Sequence, residues 1–318
     1  MADGAANPLA KRAEDVIIRG SKSFAAAARL FPPDMRRDVM LLYAWCRHCD
    51  DQIDGQELGR GTIRTASGQI LEELRSESLN ALAGKPSPEL AFQALADLSR
   101  RHSISRTLVE AHIAGFELDV TGWQPKTLDD TLQYCYHTAG TVGIMLARIM
   151  NVRDLATLYR ASDLGIAFQL TNIARDVAED AQGGRSYLPE AWRLAAGLAV
   201  TDLANPGPQE ARQAFELVAR LINVAEPYYD SAAIGIHALP RRSAWAIATA
   251  RAIYRDIGRT VLQQGPGALS ERAFTGTAGK IWRMIASVPS VLSPRKTWPE
   301  TSRSGLWTPC LEALSARS

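Results

Sequence analysis

The chain has 318 residues, 46% hydrophobic and 22% charged, with 36 Lys and Arg set against 34 Asp and Glu. That composition belongs to a globular protein with material for a large core, and a net charge of +2 excludes a nucleic-acid surface built on bulk positive charge. Four cysteines, at positions 46, 49, 135 and 310, are too few and too scattered for a disulfide framework and fit a reducing cytoplasm.

The first twenty residues lack the apolar core of a signal peptide. No apolar run reaches the roughly 18 residues of a membrane span, so a cytoplasmic location is expected. Pro32-Pro33-Asp34 predicts a helix start, and the helix runs through Leu41, Tyr43 and Ala44 to Asp54. Gly55 to Gly61 breaks it. Apolar residues at three- and four-residue spacing predict further helices over 62–83, 88–101 and 105–121. A long pair follows, over 127–150 and 153–182, punctuated near Asn151 and ended by Gly183-Gly184. Asn205 to Pro208 reads as a loop, and two or three helices run from 209 to 292. Alternating strand patterns, repeats and Pro/Gly linkers are missing from the sequence. The expectation is one all-α domain over 15–292, with an N-terminal extension at 1–14 and a loosely ordered tail at 293–318.

Two acidic stripes carry the chemistry. On a helix, Asp50 and Asp54 lie one turn apart, with Arg47 on the same stripe and Asp51 beside it. In the later segment Gln169, Asn172, Asp176 and Asp180 follow 3-4-4 spacing. They make one polar face amid Leu164, Ile166, Phe168, Leu170, Ile173 and Val177. Either stripe alone is equally well read as a solvated acidic turn. Two together, almost without lysine, predict carboxylates that converge and repel, a repulsion that a divalent cation removes. All-oxygen donors select Mg²⁺ or Mn²⁺ over Zn²⁺, and Mg²⁺ favours a few carboxylates plus substrate phosphate. The predicted ligand is a diphosphate.

Other motifs carry less. Cys46-x-x-Cys49 has no second pair at zinc spacing and falls inside a helix beside Trp45, which favours packing. Gly276 to Lys280 misses the spacing of a phosphate-binding loop. The five histidines, at 48, 102, 112, 137 and 237, form no ligand set. No dinucleotide fingerprint is present.

Six segments resemble the squalene/phytoene synthase family, and within it the bacterial phytoene-forming branch. They are Ser21-Lys-Ser-Phe24, YAWCRHCDDQID (43–54), YCYHTAGTVG (134–143), FQLTNIARDVAED (168–180), Gly184-Arg-Ser-Tyr-Leu-Pro189 and RSAWAIATARAIYRDIG (242–258). They stand in the family's order over about 15–290. Ser186 departs from the apolar residue or Cys that the family often has there. The resemblance implies a single-domain isoprenoid synthase fold of the class I terpenoid synthase type, with a central cavity.

By motif match, Asp50 and Asp54 fall on the first metal site, and Asn172, Asp176 and Asp180 on the second. Ser21, Lys22, Arg47, Arg175, Arg185, Tyr254 and Arg272 match diphosphate contacts. Tyr134 and Gln169 match residues at the reaction centre. The implied cofactor is Mg²⁺ or Mn²⁺, without NADPH. The implied activity is head-to-head condensation of two geranylgeranyl diphosphates to phytoene through a cyclopropyl (prephytoene) diphosphate, in carotenoid biosynthesis. The alternative is a squalene or dehydrosqualene synthase acting on farnesyl diphosphate. A non-catalytic scaffold of the same fold is a remote third, since it would be free to lose carboxylates that are all present. Small residues, Ala25 to Ala28 after Phe24 and Ala139, Gly140 and Gly143, are expected to leave room for two long tails, unless the alanine run is simply good helix former. Trp282 to Trp298 has the mixed composition of an interfacial helix, an expectation of peripheral membrane contact, with core packing as the alternative. Contact with other carotenoid-pathway enzymes is a further expectation.

Overall fold

A computed structural model describes residues 9, 12–13, 28–55, 68–269 and 303–309. Ser21, Lys22, Arg272 and the segments 276–280 and 282–298 lie outside the described residues. No strand occurs among the described residues.

Pro33 opens α1 (Pro33–Asp54), where a missing N–H costs nothing, and Gly55 ends it in the left-handed region at φ 63°. Three amphipathic helices follow: α2 (Gly68–Leu82), α3 (Leu90–His102) and α4 (Arg106–Val120). Ser105 caps α4, its hydroxyl accepting from the Leu108 N–H. Trp45 of α1 is fully buried and donates its indole N–H to Ser78 Oγ of α2 at 3.3 Å.

The predicted helix over 127–150 is not continuous. A capping box between Thr127 and Asp130 starts α5 (Leu128–Cys135). One π-helical turn (Tyr136–Gly140) then shifts the register before α6 (Thr141–Ile149). Such insertions favour functional sites because they redirect side chains. Asp154 caps the long helix α7 (Leu155–Gln182). The loop beyond it holds two short helices that periodicity did not predict, α8 (Glu190–Ala195) and α9 (Val200–Ala204). Pro208 opens α10 (Pro208–Ile236), and α11 (Arg241–Gln264) ends in a 3₁₀ turn (Gly265–Leu269).

α7 runs through the middle of the bundle, packed against α10, α6, α9, α11 and the π turn. Close approach depends on glycine at two crossings. A Cβ on Gly143 would lie 2.2 Å from the Ala161 carbonyl oxygen, and one on Gly165 would lie 2.2 Å from that of Ala139. Backbone therefore meets backbone on both sides of the crossing. Gly143, one of the small residues expected to make space for substrate, also serves to bring helices together. Residues 303–309 also dock on this centre: Arg303 forms an ion pair with Asp163 of α7, which has no solvent exposure.

Gly143→Ala and Gly165→Ala are each expected to lower stability by about 1–3 kcal/mol, because backbone cannot move aside as a side chain can. Gly68→Ala, whose Cβ would meet nothing within 4 Å, should change it by less than about 0.5 kcal/mol. Thermal unfolding of the three variants checks this, and equal melting temperatures would remove the argument.

Candidate active site

The acidic stripe of α1 is held by its own arginine. Arg47 Nη1 reaches Asp50 Oδ2 at 2.8 Å, one turn on, and Asp51 Oδ1 at 3.3 Å. On α7, Arg175 donates to its neighbour Asp176, with Nε 2.7 Å from Oδ1 and Nη2 on Oδ2. Asn172 donates its amide N–H to Gln169 Oε1 at 3.4 Å.

The end of α7 brings the stripes together. The Gly184 N–H bonds to the Ala181 carbonyl and the Arg185 N–H to the Asp180 carbonyl, both at 2.9 Å. This six-to-one and five-to-two pair needs a left-handed residue, supplied by Gly184 at φ 75°. The chain folds back, and Arg185 extends from beside Asp180 to Asp54 of α1, with Nη1 3.1 Å from Oδ1. One residue thus links the two stripes, through its side chain to Asp54 and through its backbone to Asp180.

Their charge is incompletely balanced. Burial lifts the Asp180 carboxyl to about 8; Asp176 and Glu179 push it the same way, and Arg185 opposes them. Asp50 rises to about 6, first through burial in the cleft, with Asp54 and Asp51 adding repulsion against the pull of Arg47. The tip of Asp50 stays within reach of solvent, with 42% of its side chain exposed. Two guanidinium donors at the same place, Arg47 Nε and Arg185 Nη2, are buried without an acceptor. Buried unpaired donors are costly and point to an anion, while carboxylates lifted in this way point to a cation.

The donor set fits a hard dication bridged to a diphosphate. Among the described residues no three of His, Cys, Asp and Glu converge on a single ion. A cation here would complete its sphere with phosphate and water oxygens, as Mg²⁺ prefers.

A third wall was not visible in the spacing. Asp119 of α4 accepts from Tyr134 Oη at 3.1 Å and from Tyr187 Oη at 2.7 Å. The two rings stack 4.5 Å apart, and Trp123 continues the stack at 6.2 Å from Tyr134. Burial lifts the Asp119 carboxyl to about 6, against the Tyr187 hydrogen bond and the charge of Arg185. Tyr134 was expected at the reaction centre. Asp119 has no acid three or four residues away on its helix, so no period revealed it.

Below lies an apolar cavity of about 260 Å³. Asn172 and Tyr254 line it near the acids, and Phe168 stacks on Tyr254 at 4.1 Å. From Asn172 the lining follows α7 back through Phe168, Leu164 and Ala161 to Thr157, a span of about 22 Å at 1.5 Å per residue. Ala139 and Gly143 belong to the wall, whereas Ala28 is buried in the core instead. Cys46 and Cys49 are free thiols, and burial lifts Cys46 to about 12, so neither acts as a thiolate. His112 stays neutral between Trp45 and Phe116. No helix among the described residues is long and apolar enough to cross a membrane.

An all-helical bundle with two acidic stripes linked by Arg185 and an apolar cavity beside Asn172 has the isoprenoid synthase class of fold. The sequence profile of the squalene/phytoene synthases matches residues 17–277, and the chain belongs to that family. It is 48% identical over 293 residues to the 15-cis-phytoene synthase of Enterobacter agglomerans, covering 91% of this chain and 98% of the relative. Identity to the 15-cis-phytoene synthase of Pantoea ananas is 47% over 306 residues, with coverages of 95% and 98%. Among solved structures, a dehydrosqualene synthase in complex with ligand superposes with a TM-score of 0.78 at 28% identity, covering 90% of this chain and 97% of that one.

The lifted Asp180 has a thermodynamic consequence. Folded protein keeps a proton that the unfolded chain releases in the ordinary carboxylate range, so between there and pH 8 the native state binds more protons. Stability of the metal-free protein should fall as pH rises through that window, by at most about 1.4 kcal/mol per pH unit. Thermal unfolding in chelator at pH 5 and pH 8.5 checks it. Asp180→Asn should flatten the slope, and an unchanged slope would contradict the assignment.

Proposed function

We propose that the chain joins two geranylgeranyl diphosphates head to head, through cyclopropyl prephytoene diphosphate, to give phytoene for carotenoid biosynthesis. The observation that carries this reading is the convergence of two under-neutralised acid stripes and two unpaired guanidinium donors at the head of a long apolar cavity. The names of the bacterial relatives support the C20 substrate.

Mg²⁺ or Mn²⁺ bound by Asp50, Asp54, Asn172, Asp176 and Asp180 would neutralise diphosphate charge as the allylic C–O bond breaks. Arg47 Nε and Arg185 Nη2 donate to the leaving group, where negative charge grows. Arg175, and by family resemblance Ser21, Lys22 and Arg272, add to that grip. Gln169 and Tyr254 help to shape the reaction centre. The allylic cation is then attacked by the double bond of the second substrate. The proton lost on cyclopropane closure passes to Tyr134 Oη, as that hydroxyl's own proton moves to Asp119 Oδ2, 3.1 Å away. Phe168, Leu164 and Val142 keep water from the cation.

The second reading, dehydrosqualene formation from C15 diphosphate, is favoured by the solved relative of that name. Incubation of purified protein with C15 and C20 diphosphates and Mg²⁺, with and without NADPH, separates the readings. Phytoene without reductant is the expected product, and exclusive use of the C15 substrate would reject the proposal. Asp50→Asn and Asp176→Asn should each lower kcat at least about 100-fold with helicity retained, and chelation should abolish turnover. Full activity in either variant would remove these carboxylates from the mechanism.

Peripheral membrane contact through 282–298 belongs to the same reading, because substrate and product are greasy. Flotation with liposomes should weaken when Trp282 and Trp298 are both replaced by alanine, and absence of binding in both forms disposes of it. Handover to other carotenoid-pathway enzymes is part of the same proposal.

A further inference from the structure

The far end of the cavity holds a cation. Arg160 lines it, twelve residues before Asn172 on α7, in the company of Leu146, Met150, Ile236 and Leu239. A guanidinium against apolar walls needs acceptors. Arg160 Nη1 finds them on Ser231 of α10, the carbonyl oxygen at 3.3 Å and Oγ at 3.2 Å. Ser231 donates its own hydroxyl to Asp163 Oδ2 in a 2.5 Å hydrogen bond. Asp163 is completely buried. Arg303 meets both of its oxygens, Nε with Oδ2 at 2.8 Å and Nη2 with Oδ1 at 2.5 Å.

Arg303 comes from beyond the end of the family match at 277. Its segment is seated by neighbouring contacts. The Trp307 N–H donates to Tyr228 Oη at 3.0 Å, the Trp307 ring lies 5.6 Å from Tyr136, and Arg303 covers the Tyr159 ring at 4.8 Å.

Arg160 and Asp163 stand at i and i+3 on one helix, a spacing at which opposite charges pair. They do not pair here, because Arg303 occupies the carboxylate. We propose that Arg303 and Asp163 are positioning residues that hold Arg160 on Ser231, where its side chain ends the space open to a hydrocarbon tail. Without Arg303, Asp163 is a buried anion with Arg160 one turn away and already bonded to the same serine. Their pairing draws Arg160 out of the wall and deepens the cavity. The C-terminal segment thereby sets the chain length that the cavity accepts. This inference rests on the reading of the cavity as the seat of a prenyl chain.

The test uses the full chain without metal and uncharged C20 and C25 prenyl alcohols as probes, with affinity read by quenching of tryptophan fluorescence. Arg160→Ala and Arg303→Met should each raise the C25-to-C20 affinity ratio about tenfold. The double variant should go no further than Arg160→Ala alone, because one residue acts through the other. In Asp163→Asn with Arg303→Gln the anion is gone, so Arg160 stays on Ser231 and the ratio should remain that of the wild type. That pair also keeps the test decisive if Arg303→Met fails to fold. An unchanged ratio in Arg160→Ala overturns the proposal. So does a raised ratio in the Asn/Gln pair, which would show that loosening the segment alone is enough. If the wild type binds neither alcohol, the reading of the cavity itself fails and the depth stop falls with it.

Discussion

Acids brought together without enough cations to balance them are the constraint from which the rest of this molecule follows. Asp50, Asp54, Asp176 and Asp180 come from two helices far apart in sequence, and Arg185 links the two sets. Arg185 is the residue that makes the arrangement stand without a ligand. The left-handed turn at Gly184 aims it, and its side chain crosses to Asp54 while its backbone stays bonded to Asp180. It does not neutralise everything, since Asp180 still holds its proton up to about pH 8. On the proposed function, the residual imbalance is where affinity for a metal-bound diphosphate would originate. A fully paired cluster would be more stable and would have less reason to bind anything.

The apolar half of the site depends on a different constraint, the close crossing of α6 and the π turn on α7. Gly143 and Gly165 let carbonyl oxygens approach where any side chain would intervene. The π turn sets Thr138 and Ala139 into the cavity wall. Helices joined this closely through backbone transmit strain poorly absorbed by rotamer changes. The cavity is accordingly shaped by the frame, and its adjustable part is the long side chain at its far end.

Much of this was legible in the sequence, for identifiable reasons. Helices with clear three-and-four spacing and strong punctuation, α1 and α7 above all, have the limits that Pro33, Gly55, Asp154 and Gly183 dictate. The two stripes were legible because each repeats along one helix. Asp119 was not, because no acid stands three or four residues from it and its partners, Tyr134 and Tyr187, come from other elements. The π turn was missed because residues 127–150 keep an apolar pattern across the change of register. Gly140 and Gly143 were read as making room: Gly143 does line the cavity, but the path of α7 shows that it also meets backbone, and the space at Gly140 is taken by the Ser162 and Tyr136 side chains. The Arg303–Asp163 pair joins positions 140 residues apart, beyond anything that local pattern can register.

The unpaired donors of Arg47 and Arg185 lie with the acids at one pole, and the hydrocarbon lining extends away from them. A molecule seated in such a vessel would be held twice, by its phosphates at the pole and by the burial of its chain along the lining. Shedding the phosphates would undo the first hold and leave the second, so the arginines let go with the chemistry while the greasy sleeve has still to give up its oily chain.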